Sequence, residues 1–213
     1  AYQSRQATYS VYKLHGGNVK VVPVTLQFAK IFYSEFHRTN KPPVGHKKSY
    51  VALLGDEWTK CIMVDPMDLP EAWLKDEHED LRIRYDDAGD WYLYTRGQIV
   101  GICTIGRPVA RWKDPKVYEF TRICFEFNPK TNKEKKYYSK FIRQAMSDFQ
   151  LYHQVSKFVT YIHDYQSGRY LEYAGFKKDK HIKYSANNKG WATRPNRSNS
   201  DLKPKLRFIK EAA

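Results

Sequence analysis

The sequence predicts a mixed α/β sheet with helices packed on both faces, within one domain spanning residues 1–213. Three observations point there. Short apolar, strand-like runs recur along the chain. Two longer segments carry apolar residues at helical spacing between those runs. The order of elements mixes strands joined directly with strands joined through helices. Hydrophobic residues make up 41% of the 213 residues, enough for a single sizeable core.

The elements follow in order. VKVVPV (19–24) reads as a strand. Thr25 is placed to cap a following helix, with Leu26, Ala29, Tyr33 and Phe36 on its apolar face. That helix ends near 37–40, because Pro42 and Pro43 forbid its continuation. SYVALL (49–54) is a second strand, and a short helix is expected within residues 66–80. WYLYTRGQIVGICTIG (91–106) reads as a hairpin turning at Arg96 and Gly97. VYEFTRICFEF (117–127) is a strand, residues 136–151 a helix, and KFVTYIH (157–163) a buried strand. A short helix over 167–176 closes at Gly175, in the C′ position. Residues 176–185 form a last strand, and the tail from 186 to 213 reads as loop.

Charge is strongly segregated. Lys and Arg outnumber Asp and Glu by 37 to 23, a formal net charge of +14, which points to phosphate-bearing partners. Residues 55–90 hold 12 acids and 4 bases, so this stretch carries −8 and the remainder +22. It reads as an acidic surface insertion, or as a segment competing with an anionic ligand for the basic face. The basic excess gathers in 128–143 and 169–213. No apolar run reaches the ~18 residues of a spanning helix, and the N-terminal residues look unlike a signal peptide. Cys61, Cys103 and Cys124 form no CxxC and read as buried thiols of a reducing compartment. A cytoplasmic protein with no membrane partner is expected.

Five segments carry a family resemblance: HRTNKPPVGHK (37–47), GICTIGRPVAR (101–111), EFTRICFEF (119–127), TYIHDYQSGRYLEYAGF (160–176) and GWATRPNRSNSDLKPKLRF (190–208). In this order they resemble a GNAT-like family of phage and bacterial proteins. That family is more distantly similar to a phage DNA-modification protein that alters adenine and blocks restriction. The resemblance implies a GNAT-like sheet, acyl-transfer chemistry and a DNA base as acceptor. One departure stands out. Where acetyl-CoA users carry a glycine-rich loop whose N–H groups cradle pyrophosphate, this chain reads NPKTNKEKKYYSKF, without glycine. Lys135, Lys136 and Ser139 are then the phosphate-binding candidates. An aminoacyl-tRNA-like donor stands as an alternative to acetyl-CoA.

Acyl transfer to an amine needs a proton acceptor and a donor toward the oxyanion. Asp164, just beyond the strand 157–163, is the candidate base; its plainer role is a helix cap. His37 and His46 flank the proline turn, which the resemblance places at the site mouth, and each is a candidate catalytic acid/base or acceptor ligand; the plainer role is a loop histidine bonded to backbone. Their spacing with His163 fits no standard zinc set. Arg122 lies inside an apolar strand, where it needs either a carboxylate such as Glu119 or Asp164, or a ligand. The resemblance implies a tyrosine in this region as the acid for a departing thiol, and Tyr173 is the candidate by position, although core packing is its plainer role. Nucleic-acid contacts are expected from Arg38, Lys41, Lys47, Arg107, Arg111, Trp191, Arg194, Arg197 and Lys205, with Trp191 stacking a base.

Three functions follow from these residues. The leading one is a transferase that adds an acyl-derived group to an exocyclic amine of a DNA base, reached by base flipping or in a single strand. The second is an acetyl-CoA-dependent N-acetyltransferase of a small molecule or protein. The third is a non-catalytic nucleic-acid or protein-binding module on the same scaffold.

Overall fold

The computed structural model describes residues 19–36, 45–65, 79–108, 112–125, 132–183 and 204–212. Among them an eight-stranded mixed sheet runs in the order β1-β2-β4-β5-β6-β8-β7, with β3 added beside β4. The strands are β1 (Val19–Val24), β2 (His46–Met63), β3 (Leu81–Tyr85), β4 (Trp91–Gly106), β5 (Val117–Phe125), β6 (Lys157–His163), β7 (Lys177–Ile182) and β8 (Lys205–Glu211). The helices are α1 (Leu26–Phe36), α2 (Asn132–Tyr152) and α3 (Arg169–Tyr173). This is the mixed sheet expected from the sequence, with helices on both faces.

Two cores separate the layers. Phe141, Ile142, Ala145, Met146 and Phe149 of α2 pack with Leu171 of α3 against Tyr50, Cys103, Phe120, Phe158 and Phe208. On the opposite face, Phe28, Ala29, Phe32 and Tyr33 of α1 cover Val22, Val51, Leu53 and Ile102. Thr25 caps α1 as expected, its hydroxyl accepting from the Phe28 N–H at 3.2 Å. The buried stripe of α1 centres on Phe28, Ala29, Phe32 and Tyr33 rather than on Leu26.

Three sequence expectations are corrected. Residues 91–106 do not turn at Arg96 and Gly97. They form one long strand, β4, which pairs with β2 from Met63↔Tyr92 to His46↔Gly106. The ladder absorbs extra residues of β2 between Leu54 and Trp58 as a bulge. Gly97, at φ 102, faces that bulge, and a Cβ there would lie 2.5 Å from the Gly55 carbonyl oxygen. The glycine marks a close backbone approach inside a strand, a signal that reads like a turn in sequence.

The second correction concerns the strand bounds within the acidic stretch. Residues 55–63 continue β2 and residues 81–85 form β3, so both ends of the stretch are built into the sheet. The helix expected in 66–80 falls almost wholly outside the described residues. The third concerns the tail. Residues 205–211 are not loop: β8 lies between β6 and β7, antiparallel to both. Leu206 and Phe208 alternate into the core, 8% and 1% exposed, with charged neighbours between them. Gly175 takes φ 93 after α3, the C′ role assigned to it.

Candidate active site

The sheet opens between β5 and β6. This parallel pair holds only from Val117↔Lys157 to Phe120↔Thr160. At the last rung the Thr160 hydroxyl donates to the Phe120 carbonyl at 3.1 Å. Beyond it, residues 122–125 pair with β4 and residues 161–163 with β8, so the two strands part and no longer pair with each other. His163 closes on Gln166, its N–H donating to the side-chain Oε1 and its carbonyl accepting from the Gln166 N–H.

A bulge re-aims β5 at this point. Phe120 opposes Ile105 and Arg122 opposes Thr104, so Thr121 is the extra residue. Without it, residues 120, 122 and 124 would share one face. Instead Phe120 enters the core beneath α2, while Cys124 joins the core beneath α1. Arg122 is paired with Thr104, whose hydroxyl bonds Tyr33 at 2.9 Å and Ser49 at 2.8 Å. Burial raises the Tyr33 phenol well above its usual range, and the nearby guanidinium opposes that shift. Arg122 itself donates from Nη1 to the Thr121 carbonyl at 3.0 Å, and its buried Nε has no partner. Neither Glu119 nor Asp164 pairs with it among the described residues, leaving a half-buried cation at the mouth of the opening.

The α2 side of the opening is aromatic. Phe125, at the end of β5, stacks on Tyr138 of α2 at 3.6 Å between ring centres and 11° between planes. Tyr170 of α3 meets Phe125 edge-on at 5.2 Å. Burial pushes the Tyr170 phenol up, so it stays protonated at neutral pH. Tyr173, the tyrosine expected to act as acid, is 64% exposed at the end of α3. Tyr170 faces the opening in its place. The five-residue helix is too short for its periodicity to separate the two from sequence.

Other expected residues fall elsewhere. Asp164 turns away from β5 toward the far edge: its N–H bonds the Pro204 carbonyl, and its carboxylate lies 3.5 Å from His181 of β7. His46 sits at the other end of the sheet, opposite Gly106. Its Nε2 is buried without a partner, and desolvation lowers its pKa. Lys47 and Arg107 are exposed at that same end, where burial first, and then they and Lys48, bias His153 toward its neutral form. Arg107 donates to the Pro115 carbonyl and stands over the Tyr118 ring. Lys205 begins β8 opposite His163, inside the sheet rather than on a tail.

The phosphate candidates shift as well. Because α2 begins at Asn132, Lys136 and Ser139 lie beyond its first turn. Lys136 is exposed, whereas the Ser139 hydroxyl is buried and donates to the Lys136 carbonyl at 3.1 Å, which uses it within the helix. His37, Arg38, Lys41, Arg111, Trp191, Arg194 and Arg197, and the side chain of Lys135, lie outside the described residues. Among the described residues no group of three or more His, Cys, Asp or Glu is placed to hold a metal ion. No described helix is long and apolar enough to cross a membrane.

Neither the protein-family models nor the curated proteins match this chain, so the phage DNA-modification resemblance finds no support there. Among solved structures the chain is similar to an IAA acetyltransferase from Bacillus cereus ATCC 14579, at 12% identity and a TM-score of 0.48. That alignment covers 92% of this chain and 100% of the other. It is similar to the aminoglycoside acetyltransferase AAC(6')-Ib in complex with coenzyme A, at 12% identity and a TM-score of 0.48, over 91% of this chain and 95% of that one. The NatC complex bound to Gag peptide and CoA aligns at 10% identity and a TM-score of 0.44, over 92% and 99%. These are likenesses of overall shape, and no residue role is carried across from them.

Proposed function

We propose that this protein is an N-acyltransferase that moves an acyl group from a coenzyme A thioester to an amine. The observation that carries the reading is the β5/β6 opening, where two neighbouring strands stop pairing, with the half-buried Arg122 beside it. An extended, amide-bearing arm such as pantetheine can lie between the parted strands as an added strand would. It would enter between Thr121–Phe125 and Tyr161–His163, bringing its thioester toward the last paired rung.

The chemistry is balanced with few groups. The neutral amine attacks the thioester carbonyl, a C–N bond forms and the C–S bond breaks. The amine nitrogen gives up a proton to solvent, and the leaving thiolate takes one. Tyr170, protonated and beside the opening, supplies the second proton. Arg122, on the α1 side with the hydroxyls of Tyr33, Thr104 and Ser49, holds an anionic or carbonyl group of the acceptor. The acceptor class expected from the sequence, an exocyclic amine of a DNA base, joins small amines and peptide N-termini as a candidate.

The test is calorimetric titration with acetyl-CoA, followed by acyl transfer to a panel of those amines. Saturable acetyl-CoA binding and transfer to one acceptor class are expected. Tyr170→Phe lowers kcat by about 10²-fold, with acetyl-CoA affinity retained. Absence of both binding and transfer overturns the proposal.

A further inference from the structure

We propose a second site: the outward face of the β2–β4–β3 extension is a platform for single-stranded nucleic acid. Directly paired residues of antiparallel strands share a face, and successive residues alternate. Ile62, Leu93 and Ile83 are paired across the three strands and belong with the core beneath α1. The residues between them must point outward.

Those outward positions interleave aromatic and cationic side chains. Trp58 pairs with Arg96, Lys60 with Tyr94, and Arg82 with Tyr94 from the other side. Arg84 pairs with Tyr92. The contacts confirm the shared face: the Arg82 guanidinium lies 4.2 Å over the Trp58 ring, and Lys60 3.5 Å over Tyr92. Trp58 remains 39% exposed and Arg96 is exposed. The Nε of Arg82 is buried without a hydrogen-bond partner.

No paired position on this face carries a carboxylate, although the stretch 55–90 has a net charge of −8. The described acids flank it: Asp56 and Glu57 in the bulge, Asp65 after β2, Glu79 and Asp80 before β3, and Asp86, Asp87 and Asp90 about the β3–β4 turn. Asp80 pairs with Lys20 of β1, and Asp86 reaches onto the face, to Lys60 at 2.7 Å. Charge that looks uniformly acidic in sequence is sorted by face in the fold.

The chemistry selects the ligand. Solvent-accessible rings on a sheet face stack on bases of any sequence, and flanking cations meet the phosphates. Tyr92 and Tyr94, two residues apart on one strand, stand about 7 Å apart, within reach of neighbouring nucleotides in an extended strand. A duplex hides its bases from such a surface, and a simple polyanion offers nothing to stack.

The experiment is fluorescence anisotropy with labelled oligo-dU and oligo-U of about 12 nucleotides, read across a salt series. Both are expected to bind more tightly than a duplex of equal length, and the tighter of the two identifies the preferred sugar. Trp58→Ala weakens binding by roughly 5-fold or more, and Trp58→Phe recovers most of it. Arg96→Ala lowers the slope of log K against log salt by about 0.7. Undetectable binding at low salt, or Trp58→Ala binding like the parent, overturns the proposal. Neither residue adjoins the β5/β6 opening, so acetyl-CoA binding is expected unchanged in both variants and the two sites fail or stand separately.

Discussion

Arg122 and Phe120 face opposite ways because one residue, Thr121, is extra against β4. Arg122 was legible in the sequence as a charge inside an apolar strand, an expensive arrangement without a partner. The bulge was not, since the alternation of VYEFTRICF survives an inserted residue almost unchanged. Tyr170 and Asp164 show the same limit: sequence placed both near the end of β6 but not their directions. A second residue-scale case is Gly97. Gly97→Ala forces a Cβ to 2.5 Å from the Gly55 carbonyl oxygen at φ 102. It is expected to cost about 1–3 kcal/mol, read as a lower urea midpoint with an unchanged m-value. A third is titration. Burial lowers the pKa of His46, and burial with Lys47, Lys48 and Arg107 lowers that of His153. Both remain neutral in the fold but charge more readily when it opens. Stability is thus full above the unfolded histidine value near 6.5 and falls as pH drops below it. His153→Asn should flatten part of that fall in urea titrations between neutral and mildly acidic pH.

At the scale of elements, strands that carry an uninterrupted apolar run were legible and those interrupted by charge were not. β1, β6 and the inner half of β2 appear where their Val, Ile, Leu and Phe runs stand. β8 was missed because KLRFIKE has only Leu206 and Phe208 facing inward, with basic residues on either side of each. Its place between β6 and β7 depends on pairings more than 20 residues away in sequence, which local pattern cannot supply. β7 is exposed along nearly its whole length and is held mainly by β8. Leu171 of the short α3, and Phe176 between α3 and β7, belong to the same core as Phe208 of β8. Phe208→Ala is therefore expected to destabilise by about 3–5 kcal/mol and to increase amide exchange in β7 and α3 before the β1–β2–β4 half. Uniform exchange across the sheet would show instead that the two halves unfold as one unit.

Across the whole molecule, the charges oppose the compact state. The net charge is +14, and Asp and Glu number only 23 against 37 Lys and Arg. At least 14 cations therefore have no carboxylate to themselves. Ion pairs that do form include Lys20–Asp80, Lys48–Asp148 and Lys157–Glu211, each with at least one partner partly open to water. Pairs of that kind contribute about 0–1 kcal/mol each and are themselves screened by salt. Repulsion among unpaired cations acts over longer distances, on the order of the ~10 Å Debye length at 0.1 M salt. Added salt weakens both, but the excess cations outnumber the pairs, so the balance favours the folded chain. Raising sodium chloride from low to physiological ionic strength is expected to raise the thermal midpoint by a few degrees. Sulfate would raise it further, because a divalent anion also occupies the cationic cluster of Lys47, Lys48 and Arg107 around His153. A midpoint that fell with added chloride would instead place the stabilising electrostatics in the ion pairs.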